Sequence, residues 1–372
     1  MAAKSQSLQL IARLTPLAEV LAMIDDEVKP VTPRPLDLGA ALGRALAADV
    51  AAPARPTGPI ALQDGWALTA DLTLGAGGYA PVALARVPPR VEAGQAMPPG
   101  TDSVAPYDAV KTGGGLAEAL VTLSPGDGML PAGGDCDPAL PLRRAGERLR
   151  STDLAAFSAA GLARVTVREP RIRVLPLRGS AIVTAAARLM TGDTERRGGA
   201  ARLDDGGRGL GVAIAAETDD AIVAIGGTGS GRNDNTVQLL AREGRLVMHG
   251  IALTPGETAG FGFAGTRPVL LLPGRLDAAL AVWLIVGRHL LARLAANRET
   301  DPAEPVTLAR KVASTVGLAE LVPLRRGGDG AEPLATRYLP LSALARADGW
   351  LLVPADSEGY AAGSVVEMRP WP

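Results

Sequence analysis

The chain has 372 residues, with 38 basic and 39 acidic side chains and a net charge of −1. That length exceeds one ordinary core and implies roughly two to four domains, while the balanced charge and the 3% aromatic fraction exclude the basic, base-stacking surface of a nucleic-acid binder. One cysteine, Cys136, and two histidines, His249 and His289, exclude an internal disulfide and a zinc site built on Cys or His.

The opening residues, MAAKSQSLQLIARLTP, lack the apolar run and small-residue cleavage site of a signal peptide, so a cytoplasmic protein is expected. Thr15-Pro16 looks like a helix N-cap with proline at the first helical position. Leu17, Val20, Leu21, Ile24 and Val28 then share one helical face, and Lys29-Pro30 ends it. Leu38, Leu42 and Leu46 suggest a second helix over 38–48, weakened by Gly43. From Val50 to Pro141 prolines and glycines become frequent and short β-like runs replace helical patterns, at Val82 to Val87, Ser103 to Pro106 and Ala119 to Leu123. Arg143 to Thr152 reads as charged surface, Asp153 to Gly161 as a short helix and Ala163 to Val167 as a strand.

From Arg171 the pattern turns to strand, loop and helix. Ile172 to Leu177 is an expected strand, Arg178-Gly179-Ser180 a turn and Ala181 to Met190 a helix. Thr191 to Gly209 reads as a polar, partly mobile loop and Gly211 to Glu217 as a poor helix. Then comes the densest signal in the chain, residues 219–234 (DDAIVAIGGTGSGRND): a five-residue apolar strand, a glycine-rich turn and a helix start. Glycines let backbone approach a ligand closely, and the following helix N-terminus offers free N–H groups to an anion. The spacing is G-x-G-x-G, neither a Walker loop nor a dinucleotide fingerprint. By itself it marks either an anion site or an ordinary strand-to-helix turn. Arg245 to Leu253 and Pro268 to Leu272 read as further strands. Pro273-Gly274-Arg275 then turns into a long apolar helix over 277–296, interrupted by Arg288, His289 and Arg293 and too short in pure hydrocarbon to span a bilayer. Three strand-to-helix turns of one layout imply a parallel sheet covered on both faces, with ligands beyond the carboxyl ends of its strands. Residues 297–305 read as a linker, and the tail as a small β domain with runs at Thr307 to Val312, Gly349 to Val353 and Ser364 to Met368.

In order along the chain, six segments resemble the MoeA family, the molybdopterin molybdenumtransferases also known through the gephyrin E domain. Residues 41–50 (ALGRALAADV) are similar to its opening segment, 63–67 (QDGWA) to M-D-G-Y-A and 99–104 (PGTDSV) to P-G-T-D-A-V. Residues 226–234 (GGTGSGRND) resemble G-G-V-S-x-G-x-x-D, 249–256 (HGIALTPG) H-G-V-A-x-K-P-G, and Pro273-Gly274 the start of P-G-N-P. The resemblance implies a multidomain α/β and β protein: a helical domain (1–49 plus 142–168), an inserted β-rich domain (50–141), a central MogA-like three-layer α/β/α molybdopterin-binding domain (169–297) and a small C-terminal β domain (298–372). It implies a homodimer that inserts molybdate into adenylylated molybdopterin with Mg²⁺-assisted AMP release; the composition points to no nucleic acid and no membrane, and a molybdoenzyme client belongs to the carrier alternative below.

Carried over by position, Asp64, Asp135 and Asp234 stand as catalytic acids, and Asp64, Asp204, Asp205 and Asp234 as metal-holding acids, Mg²⁺ being a hard cation that takes oxygen ligands. Each has a plainer role: Asp64 in a turn, Asp135 in a Gly/Pro loop, Asp204 and Asp205 as solvated acids, Asp234 as a helix cap. Gly226, Gly227, Gly229, Ser230, Gly231, Pro273 and Gly274 would cradle the pterin nucleotide. The strand end S-T-G-D-E of the family is here Pro176 to Ser180, with no acid. The threonine of its T-G-A turn falls at Ala93, and lysines beside its Pro-Gly are Thr254 and Glu257. Arg178, Arg232 and Arg275, one in each turn, would replace the lost cations. An active transferase, a non-catalytic molybdopterin carrier or chaperone, and a dimeric scaffold all fit this pattern; a dinucleotide or nucleotide-sugar enzyme fits the loop spacing poorly.

Overall fold

The computed structural model describes residues 9–177, 179–204, 209–232, 234–299 and 301–372. Two compact units emerge. The first comprises 1–48, 145–150 and 166–372, and the second 49–144 and 151–165.

The first unit is organised by a six-stranded sheet. Its order is Ala200–Leu203, Arg171–Pro176, Ala221–Ile225, Arg267–Leu272, Gly260–Ala264, Arg245–His249. The first four strands run parallel, and Gly260–Ala264 is antiparallel to both neighbours. Every residue of Ala221–Ile225 is buried, and successive side chains go to opposite faces as the strand period requires. Ala221, Val223 and Ile225 face one core with Val183, Met190, Leu280 and Trp283. Ile222 and Ala224 face another with Leu210, Ala213, Val237 and Leu240. Helices Ala181–Arg196 and Leu276–Ala295 therefore cover one face, Leu210–Ala215 and Thr236–Glu243 the other, giving three α/β/α layers. Fully burying one such aliphatic side chain contributes about 1.5–3 kcal/mol. The helix before Ala200–Leu203 lies on one face and the helix after it on the other. The strand order consequently switches between Arg171–Pro176 and Ala221–Ile225, the position beyond whose carboxyl ends open α/β sheets take their ligands.

Helix Leu276–Ala295 reaches membrane-spanning length, but 78% of its most apolar window is buried inside the protein. It takes a π turn at Trp283–Gly287, and a side chain on Gly287 would come within 2.3 Å of the Trp283 ring. The turn directs the Trp283 indole N–H to Asp193 (2.7 Å), which Arg288 also meets at 2.9 Å. A second sheet of the unit follows the order Leu253–Thr254, Ala319–Gly327, Gly349–Val353, Val365–Pro370, Glu304–Thr307, with Val322, Leu351, Val353 and Met368 in its own core.

The second unit is β-rich. One three-stranded sheet orders Arg90–Val91, Gly65–Leu68, Ser103–Ala105, and another Val82–Leu84, Leu116–Ala119, Val110–Gly113. Trp66, Leu68, Leu84, Ala105 and Ala117 form its main cluster, and the unit also contains helix Ser151–Ala159.

Two sequence expectations need correction, and one strand went without any. Residues 38–48 are not a helix: a single turn, Leu38–Ala40, leads to Gly43 at φ 77°, and Ala45 and Leu46 pair with Arg168 and Val167. The leucine spacing there is helical, but Leu42 is exposed and gives no apolar face. The stretch from Thr191 is not a loop as far as Arg196. Helix Ala181–Arg196 continues because Asp193 and Thr194 are buried, and strand Ala200–Leu203 follows. Residues 205–208 of that stretch lie outside the described residues. Strand Gly260–Ala264 had no forecast; Gly262 permits it, since a side chain there would meet Arg245 O at 2.2 Å.

Candidate functional site

The parallel strands end along one edge, so Leu177, Gly226 and Pro273 are successive positions across the sheet, while Asp204 follows the outermost strand beside Leu175. Gly226 N–H donates to Leu272 O (2.9 Å) and Leu177 N–H to Ile225 O (3.0 Å), which ties the three turns to each other. A side chain on Gly274 would lie 3.5 Å from Gly226 Cα and 3.9 Å from Val183 Cγ2, in the first turn of helix Ala181–Arg196. One on Gly226 would also meet Val183, at 4.0 Å. The turns thus converge, and glycine keeps their meeting point open.

The glycine-rich loop is held from within. Gly226 and Gly227 have φ of 102° and 75°, the left-handed region that glycine tolerates. Thr236 Oγ1 donates to Gly226 O (3.0 Å), and an added side chain on Gly227 would meet that oxygen at 2.2 Å. Asp234 turns back under the loop: its Oδ2 accepts Gly231 N–H at 3.1 Å and would lie 2.7 Å from a side chain on Gly229. Outside, Thr228 O bonds His249 Nε2 (2.9 Å), and Thr228 Oγ1 pairs with Thr258 Oγ1 (3.0 Å). Ser230 is exposed.

The three candidate cations differ. Arg232 is exposed, and no acid among the described residues pairs with it. Arg275 is paired: Nε meets Asp277 Oδ1 at 3.0 Å, Nη2 meets Oδ2 at 2.5 Å, and its guanidinium stacks on Tyr338 at 5.1 Å. The Asp277 hydrogen bond is the chief reason its pKa is raised; burial opposes this, and the charges of Asp277 and Glu257 add to it. Asp277 is buried and also accepts Leu339 N–H at 3.2 Å. Arg178 lies outside the described residues, as does Asp205. Glu257, which stands where the resemblance places a lysine, accepts from Thr254 Oγ1 and from Gly256 N–H (3.1 Å), so it braces its own turn.

Asp204 is half-buried at the end of its strand, its N–H on Val174 O (2.9 Å). Asp64 and Asp135 belong to the second unit. Asp64 is exposed and accepts Ala93 N–H at 2.8 Å, bracing the Ala93-Gly94 turn. Gly65 beside it is obligatory, because a side chain would meet Ala105 O at 2.0 Å. Asp135 is exposed, with its N–H on Arg55 O (2.8 Å). Among the described residues no three of His, Cys, Asp and Glu stand together to hold a metal. Asp234 is directed at Gly231 N–H and serves its own loop.

One contributor had no sequence signal. Gln9, 5% exposed, reaches this loop from the amino-terminal segment. Its Nε2 donates to Gly227 O (3.0 Å) and Gly229 O (2.9 Å), while its Oε1 accepts from Val237 N–H (2.9 Å) and Gln238 N–H (3.1 Å). A separate cavity of about 740 Å³ is lined by Leu21, His289, Arg293, Arg298, Trp350 and Arg369, among others, and by none of the three turns.

Fold and site together define a multidomain α/β protein whose glycine-bearing turns meet at the carboxyl edge of a parallel stretch of sheet. Three family models match it in chain order: "MoeA N-terminal region (domain I and II)" over 15–161, "Probable molybdopterin binding domain" over 200–293, and "MoeA C-terminal region (domain IV)" over 305–371. The chain belongs to the MoeA family. It is similar to a Methanocaldococcus jannaschii protein whose name assigns it provisionally to molybdopterin biosynthesis, 25% identical over 414 aligned positions and covering 97% of this chain and 99% of that one. Among solved structures it is similar to the molybdopterin biosynthesis moeA protein of Pyrococcus horikoshii (22% identity, TM-score 0.78, 96% of this chain and 100% of that chain). It is also similar to a molybdenum cofactor biosynthesis protein of Pyrococcus furiosus (20% identity, TM-score 0.60, 96% and 100%). At these identities the two structures bear on the fold alone.

Proposed function

We propose that the protein acts in molybdenum cofactor biosynthesis, inserting molybdate into adenylylated molybdopterin with release of AMP. The observation that carries this reading is the convergence of Gly226, Gly274 and Val183 at the carboxyl edge of a sheet that matches a molybdopterin-binding family model. An anionic pterin nucleotide suits such an edge, where backbone N–H groups and a helix N-terminus face the crevice. In this proposal Gly226, Gly227, Gly229, Ser230, Gly231, Pro273 and Gly274 cradle the substrate. Arg232 supplies the accessible positive charge, with Arg178 as a second cation. Arg275 contributes less, because Asp277 already holds it. Asp64, Asp135 and Asp234 are the proposed acids of the reaction, with Asp204 and Asp205 near the strand edge. A cytoplasmic homodimer, a molybdoenzyme client and the four-domain division stay part of the proposal.

A carrier that binds molybdopterin without turnover is the second reading. It is favoured by the pairing of Arg275 with Asp277 and by the negative charge of Glu257 acting on the same guanidinium. Purified protein incubated with adenylylated molybdopterin, molybdate and magnesium separates the two. AMP release that Asp64→Ala abolishes supports the transferase; tight binding without AMP release supports the carrier.

A further inference from the structure

We propose that residues 9–14 are a built-in plug whose Gln9 carboxamide occupies the anion-binding end of the crevice and must withdraw before the phosphate of the ligand can dock there. The inference rests on the molybdopterin reading of this loop. The amides of Val237 and Gln238, at the second and third positions of helix Thr236–Glu243, are the donors that a phosphate at a helix N-terminus would use. Both already donate to Gln9 Oε1, at 2.9 and 3.1 Å. Gln9 Nε2 meanwhile satisfies the carbonyls of Gly227 and Gly229.

Three further observations separate this contact from an ordinary cap. The group comes from 228 positions away, whereas the helix's own N-cap residue, Asn235, makes no side-chain capping bond. The loop is also braced by Asp234 at Gly231 and by Thr236 at Gly226, contacts that Gln9 does not make. Finally, beyond Gln9 the segment is held mainly at the surface, where Arg13 pairs with Glu19 at 3.3 Å. Leu10, Ala12 and Arg13 are exposed. Thr15 fastens its far end between Gly250 O (2.9 Å) and Ala252 N–H (2.8 Å), and Ile11 rests against Gly250. The neutral carboxamide pairs these four backbone groups without charge, and an incoming phosphate engages the same two amides with charge. The carboxamide is therefore a stopper that the ligand can displace.

The apparent dissociation constant equals the intrinsic one divided by the fraction of open molecules. If the plug is closed nine times in ten, Gln9→Ala tightens binding of adenylylated molybdopterin to the full-length protein about tenfold. Ile11→Ala, which loosens the segment without touching the loop, should tighten it less. Ligand should also speed tryptic cleavage after Arg13, as the segment lifts. Unchanged or weaker binding by Gln9→Ala, or cleavage that ligand leaves alone or slows, would overturn the plug while leaving the pterin site in place. Absence of binding in wild type and both variants would remove the pterin reading, and the plug with it.

Discussion

Gly227→Ala tests the loop most sharply. At φ 75° an alanine pays about 1–2 kcal/mol for the left-handed backbone. Its methyl would also sit 2.2 Å from Thr236 Oγ1, so the hydroxyl must swing away from Gly226 O, which it now meets at 3.0 Å. Leaving those buried groups unpaired costs roughly another 1–3 kcal/mol. The sum, about 3 kcal/mol, should lower the melting temperature of the first unit by about 6–12 °C in calorimetry. Thr236→Ala removes the same hydrogen bond and leaves space for the methyl. Gly227→Ala added to Thr236→Ala should therefore cost only the backbone part, so the double variant falls short of the sum of the singles by about 1–3 kcal/mol. Additivity to within about 0.5 kcal/mol would refute the packing described for this loop.

Other expectations concern charge. Asp193 is buried, and although burial pushes its pKa up, the hydrogen bonds and charges of Arg288, Arg197 and Trp283 bring it below the usual carboxylate value. Asp301 is lowered likewise, by Arg197 and Arg288 against burial. A depressed folded value means stability present above the ordinary carboxylate pKa and lost as pH falls through the folded one. Acid unfolding should thus steepen below about pH 4, and Asp193→Asn should flatten that slope while costing about 3–5 kcal/mol at neutral pH in urea titrations. Arg232→Ala should weaken adenylylated molybdopterin binding about tenfold in titration calorimetry, the loss of one charge-assisted phosphate contact, and change stability by less than about 0.5 kcal/mol. Arg275→Ala should do the reverse, since the buried carboxylate of Asp277 loses its partner: a clear fall in melting temperature and a smaller change in affinity.

The three strand-to-helix turns were readable because each is a short apolar run closed by glycine, a local signal that the fold preserves. Their convergence followed from the parallel order, and Gly226 against Gly274 realises it. What the sequence hid was set by partners far along the chain. Helix Ala181–Arg196 runs past Met190 because Asp193 meets Trp283 and Arg288, 90 and 95 positions away. Leu38, Leu42 and Leu46 keep helical spacing, yet the segment pairs with Val167 and Arg168 instead. Arg275 looked like a spare cation beside a phosphate loop, and only the geometry pairs it with Asp277 two residues on. Gln9 carries no motif at all; its role exists only because the segment folds back over residues 227–238.

Hydrogen exchange of the full-length protein with and without adenylylated molybdopterin reads the crevice most directly. Ligand should slow exchange together at residues 179–183, 226–231 and 273–276. Protection confined to the cavity beside Trp350 and Arg369, or limited to a single turn, would contradict a pterin site formed where the three turns meet.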